Sequence, residues 1–202
     1  MKEKRTHYPA YDVLANQEEW DAHTKEIVLA RLGPFPKPQF FRPGEEALVR
    51  AIAAHLVYDE RQEILDFVVY HFDRSLAADK GEGQRSPNSP PAKDLVRWGL
   101  KALENLAQKQ FQRKFLELDG EKQLALLASL QQGRALEIPD WQKVPQKELF
   151  KKLAGEIISA YYSHPTAWSE IGYAGPAYPR GYVRIERGLT EPWEAKRNGK
   201  EK

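Results

Sequence analysis

With 202 residues, 41% of them hydrophobic, the chain can bury one substantial core without needing two. Its 31 Lys plus Arg against 29 Asp plus Glu leave a net charge of +2, which offers little sequence-independent attraction to nucleic acid or an anionic membrane, so a partner must be recognised by shape. The absence of cysteine excludes disulfides, thiolate metal sites and Cys nucleophiles, and no stretch reaches the roughly 20 apolar residues of a membrane-spanning helix.

The opening MKEKRTHYPAYDVL has basic residues with no apolar run behind them, so no export signal is expected there. Asn16 followed by Glu19 reads as a capping box, which predicts a helix from Asn16 to about Leu32 with Trp20, Ile27 and Leu32 as its buried stripe and Gly33-Pro34 as its stop. The next segment, PFPKPQFFRPG, holds four prolines and cannot continue a helix; it predicts an extended strap that packs Phe35, Phe40 and Phe41 onto the core.

Leu48, Ile52 and Leu56 repeat at helical spacing over Glu45 to about Tyr58, and Ile64, Phe67, Val68, His71 and Leu76 do so over Glu60 to Ala78. DKGEGQRSPNSPP then predicts a flexible loop over 79–91 inside one domain. A long helix is expected from Lys93 to Leu116 carrying Leu95, Trp98, Ala102, Leu106 and Phe111. Asp119 caps the next, which ends near Gly133 with Leu124, Leu127 and Leu130 inside. A last long helix runs from Pro145 to about Tyr162 with Leu149, Leu153, Ile157 and Tyr161 aligned. No run alternates with period two, so the expected fold is all-α, an irregular bundle of about six helices in a single domain over 1–195.

After Ser163 the composition changes. Gly, Pro and aromatic residues in HPTAWSEIGYAGPAYPRGYVRIERG predict a structured loop over 163–188, and the charged stretch 196–202 is expected to be a disordered tail. Trp, Tyr and Arg dominate binding hot spots, so Trp168, Tyr173, Tyr178, Arg180 and Tyr182 are candidates for a rigid contact surface or, alternatively, for a lid on the helical core. His164, before Pro165, could cap the C-terminal carbonyls of the preceding helix; that role outweighs catalysis with a nearby carboxylate. His55 and His71 read as satisfied core histidines, and Asp59, Glu60, Glu63, Asp66 and Asp73 as solvated helix faces. No nucleotide-binding, hydrolase or metal-ligand motif occurs, so no catalytic, cofactor-binding or metal residue is assigned.

The stretch YYSHPTAWSEIGYAGPAYPRGYVRIERGLTEPWE resembles the C-terminal part of the gluconate 2-dehydrogenase subunit 3 family. YPAYDVLANQEEWDAHTKEIVLARL, the FF of the strap, LDFVVYHFDRSLA and WGLKALENLAQKQFQRKFLELDGEKQLALL are similar in the same order. The resemblance implies a non-catalytic companion of an FAD-dependent gluconate, sugar or alcohol dehydrogenase, with the flavin on a separate large subunit and a multihaem cytochrome c as a possible third partner. It implies support for folding, maturation or stability of the flavoprotein, and makes His164, Trp168, Tyr173, Tyr178, Arg180 and Tyr182 the residues expected at the interface. Such companions often lend a twin-arginine export signal. This opening segment shows none, so the expected compartment is the cytoplasm as written, or the periplasm and membrane surface if the chain is co-exported. A free-standing sugar or sugar-acid binding module built on the aromatic loop is the alternative.

Overall fold

The chain is all-α, as its helical periodicity predicts. A computed structural model describes residues 6–78, 86–87, 89–184, 186 and 189–197. These form seven α-helices: α1 (Ala22–Leu29), α2 (Pro43–Val57), α3 (Gln62–Ala77), α4 (Ala92–Phe111), α5 (Gly120–Gln132), α6 (Gln146–Tyr161) and α7 (Pro165–Ile171). Short 3-10 helices occupy Val13–Glu19, Ala30–Leu32, Phe115–Glu117 and Pro139–Gln142, and no strand occurs among the described residues. Most of the loop expected over 79–91 and of the tail expected over 196–202 lies outside the described residues, as does the end of the segment 163–188.

By contact the chain divides into two units, Pro36–Ala160 and a terminal unit made of Met1–Phe35 with Tyr161–Lys202. In the central unit α2 and α3 pack on each other. Its fully buried side chains include Ile52, Ile64, Phe72, Leu100, Leu103, Leu106, Leu126, Leu130, Leu149 and Leu153, each stabilising the fold by about 1.5–3 kcal/mol through removal of apolar surface from water. Gly99 on α4 allows a close approach: a Cβ there would overlap the Leu149 side chain on α6. Asp119 caps α5 by accepting from Lys122 N at 2.9 Å, and Gly133 ends it in the left-handed region, φ 68°. Both were legible from residue type.

The proline-rich strap is fastened by a buried carboxylate. Asp73 on α3, 3% exposed, accepts from the backbone N–H groups of Gln39 (2.8 Å), Phe40 (2.9 Å) and Phe41 (2.7 Å). Arg97 on α4 closes the arrangement. It donates to Phe40 O at 2.8 Å and to Glu45 at 3.0 Å, with its guanidinium 4.3 Å from the Phe40 ring centroid. Phe41 is buried, while Phe35 and Phe40 stay half-buried. Asp59, also buried, holds Arg61 Nη2 at 2.7 Å. The reading of Asp59 and Asp73 as solvated is thus corrected: each sits just where a backbone or guanidinium donor replaces its water. His55, as expected, is satisfied, 2.7 Å from Gln123 Oε1.

Four helical expectations change. Asn16 caps nothing; Asp12 caps the 3-10 helix and Asp21 caps α1, accepting from His23 N and Thr24 N, so the stripe becomes Val13, Trp20 and Val28 while Ile27 and Leu32 are exposed. Gln112, left-handed at φ 58°, stops α4 at Phe111 instead of Leu116, and Trp98 on α4 is 42% exposed. On α5 Leu126 takes the buried place expected of Leu124. Lastly, part of the expected loop 163–188 is helical, namely α7.

Candidate interaction surface

α7 exists because its two ends are capped. Pro165 at the first helical position has its φ preset and no N–H to satisfy. His164, 1% exposed, accepts from Thr166 N through Nδ1 at 3.2 Å, so its side chain caps the N-terminus of α7, while its backbone N–H donates to Tyr161 O at the end of α6 at 3.1 Å. Gly172 closes the helix with φ 74°, and a Cβ there would lie 2.5 Å from the Tyr8 ring. Seven residues are too few for periodicity to announce such a helix.

α7 then organises the terminal unit. Ser169 Oγ accepts from Val13 N at 3.0 Å and donates to Pro165 O, and Thr6 Oγ1 donates to Glu170 O at 2.6 Å. Trp168 joins Val13, Trp20 and Val28 in the unit's apolar core. Its Nε1 donates to Tyr162 O at 2.6 Å, Arg31 lies 5.1 Å over its ring while donating to Ser163 O, and Tyr173 meets it edge-on at 5.3 Å. Gly175, φ 77°, passes so close that a Cβ would lie 3.1 Å from both Trp20 and Val13.

Beyond Gly175 the chain is held from behind by two charged side chains. Arg180, whose side chain is 8% exposed, donates from Nη2 to Ala174 O and Pro176 O at 3.2 Å each, from Nη1 to Glu19 at 3.1 Å, and stacks over Trp193 at 4.1 Å. Glu191, 3% exposed, accepts from Val183 N at 2.7 Å and Arg184 N at 2.5 Å. Trp193 is fixed in turn by Tyr11, whose hydroxyl donates to its carbonyl at 3.1 Å, and by the Tyr182 ring at 4.8 Å. Burial pushes the Tyr11 and Tyr182 phenols above their ordinary values.

The six residues picked from the sequence therefore separate. His164, Trp168 and Arg180 are buried and hold the fold of the terminal unit, whereas Tyr173 (44%), Tyr178 (70%) and Tyr182 (53%) are exposed along the pinned segment, joined by Val183 (76%). Val183 and Glu191 were missed: an isolated valine and a glutamate carry no pattern, and only the folded backbone shows that Glu191 receives two N–H groups.

The same unit contains a cavity of about 340 Å³ between the stretch 6–14 and α7, lined in part by Tyr8, Tyr11, Asp12, Thr166 and Glu170. Among the described residues no three His, Asp or Glu side chains gather as a metal site, and no helix is long and apolar enough to cross a membrane.

Compared with known proteins, the chain matches neither a curated protein nor a solved structure. It does match the family model described as gluconate 2-dehydrogenase subunit 3 over residues 43–175, from the first residue of α2 through α7 to the glycine that packs on Trp20. That span is well over half of the 202 residues, and the chain belongs to the gluconate 2-dehydrogenase subunit 3 family.

Proposed function

We propose that the chain is the non-catalytic accessory subunit of an FAD-dependent gluconate, sugar or alcohol dehydrogenase, supporting the folding, maturation or stability of a flavoprotein large subunit. The flavin is on that partner, and a multihaem cytochrome c completes the electron path. What carries the reading, beside the family, is the division of labour within 164–184: buried His164, Trp168 and Arg180 fix a backbone from which Tyr173, Tyr178, Tyr182 and Val183 stand exposed. Tyrosine supplies large amphipathic contact area with little side-chain entropy to lose, and a backbone already fixed lowers the cost of binding further.

In this reading Tyr173, Tyr178 and Tyr182 touch the dehydrogenase, while His164, Trp168 and Arg180 act on the interface through the loop they hold. Co-expression with a candidate FAD-dependent dehydrogenase large subunit tests it. The expected result is a complex that carries the yellow flavin spectrum and a flavoprotein that is recovered in lower yield without the small subunit. Recovery of an equally active flavoprotein in its absence, with no complex, would refute the proposal.

A further inference from the structure

Among the described residues five arginines are at least partly withdrawn from water: Arg31, Arg50, Arg61, Arg97 and Arg180. The last four each meet a carboxylate, on Asp66, Asp59, Glu45 and Glu19 in turn. Arg31 is the exception. It is half-buried in the terminal unit, its guanidinium stands over the Trp168 ring and its Nη1 donates to Ser163 O at 2.7 Å, yet no carboxylate of the described residues lies within ion-pairing distance. Its Nε and Nη2 make no hydrogen bond to the described residues and are not sealed from solvent, so the free edge is the N–H fork that matches a carboxylate in bidentate geometry. Burial pulls the group below its ordinary value, with the Tyr173 phenol opposing the shift. A cation in such a place lacks the counter-charge that the fold gives the other four.

From this geometry we infer that Arg31 anchors a carboxylate of the partner subunit, an Asp or Glu side chain that closes on its Nε and Nη2 edge beside Tyr173. The inference rests on the subunit reading above and names the partner's chemistry at that surface. Arg31 and the exposed Tyr173 share the Trp168 ring, one over it and the other edge-on, so a partner that covers the tyrosine also reaches the guanidinium. The ring and Ser163 O hold the guanidinium in place before binding, and little side-chain entropy is lost when the pair forms. A solute carboxylate gains only one solvent-exposed pair, which is weak. One carried by a partner arrives with the tyrosine contacts and is desolvated by them.

The test uses the full chain with a candidate FAD-dependent dehydrogenase large subunit. Arg31→Gln, shown to be folded by its melting curve, should weaken the complex about tenfold and flatten its salt dependence. Arg31→Lys, which keeps the charge and loses the fork, should fall between Arg31→Gln and the parent. Changing the acidic residues of the large subunit to Lys one at a time should find one that restores binding to Arg31→Glu. On the parental chain the NMR signal of the Arg31 Nε–H should move and exchange more slowly in the complex, a readout that needs no variant to fold. Acetate, titrated as a free carboxylate, should not saturate that shift. A folded Arg31→Gln of parental affinity, an Nε–H unchanged by the partner, or a large subunit without an acid that couples to Arg31 would overturn the inference and leave the subunit reading standing. Absence of any complex would overturn both. Saturation by acetate below millimolar concentration would give the site to a solute and overturn the assignment to the partner.

Discussion

The Arg180 guanidinium lies 4.1 Å from the centroid of the Trp193 ring. The same group donates to Glu19 and to two loop carbonyls, so one buried cation ties residues 174–180 to the 3-10 helix Val13–Glu19 and to the stretch around Trp193. Arg180→Ala should cost about 2–3 kcal/mol through loss of the stack and of the charge-assisted hydrogen bonds. Hydrogen exchange over 174–184 should rise by at least tenfold. Arg180→Lys should not restore protection, because an ammonium cannot reach three acceptors while stacking. Unchanged exchange in Arg180→Ala would contradict the pinning described here.

His164 is a capping residue, its Nδ1 accepting from Thr166 N. His164→Asn keeps an acceptor for Thr166 N and should cost under about 1 kcal/mol more than the loss of ring packing alone, whereas His164→Ala also leaves the N–H unmet and should cost about 1 kcal/mol beyond His164→Asn. Chemical denaturation of the two variants measures the difference. Equal stability would remove the cap from the account.

Asp73 predicts a larger effect. Three backbone donors converge on its carboxylate, and the amide of Asp73→Asn offers one oxygen in place of two while turning an NH₂ toward donors it cannot satisfy. A loss of about 3 kcal/mol is expected, with exchange protection lost first at Gln39, Phe40 and Phe41. A variant as stable as the parent would show that the strap is held by Arg97 and Phe41 alone.

Asp119 links stability to acid. The hydrogen bond from the Lys122 side chain, reinforced by Lys122 N, holds its carboxyl below the usual carboxylate range; Thr24 does the same for Asp21. A carboxylate depressed in the folded state contributes stability that is present above its unfolded pKa and is lost as pH falls through the folded one. The NMR midpoint of Asp119 should therefore lie below that of a free aspartate, and Asp119→Asn should flatten the acid dependence of α5 exchange. A midpoint at the free value would contradict the capping bond.

Much of the fold was legible in residue order. α5 announces itself through Asp119 and Gly133, and α6 through the spacing of Leu149, Leu153, Ile157 and Tyr161, all buried. Other features depend on choices between neighbours that periodicity cannot rank. Asn16, a good cap by type, lost to Asp12 and Asp21, and Leu124 lost to Leu126, because the winning register is set by what each helix packs against. The surface was half legible: composition singled out 164–188, but whether an aromatic or an arginine in it faces the core or water follows from contacts such as Arg180 to Glu19, 161 residues apart in the chain.

The most direct test of the central claim pairs the chain with the proposed flavoprotein partner and replaces Tyr173, Tyr178 and Tyr182 by alanine together. Affinity is measured by titration, and folding of the variant is checked by its melting curve. The account predicts a variant that melts within a few degrees of the parent and binds the flavoprotein at least a hundredfold more weakly, since two or three exposed aromatic anchors at about 1–2 kcal/mol each amount to that. A folded triple variant that binds with parental affinity would show that the dehydrogenase meets a different face of this subunit.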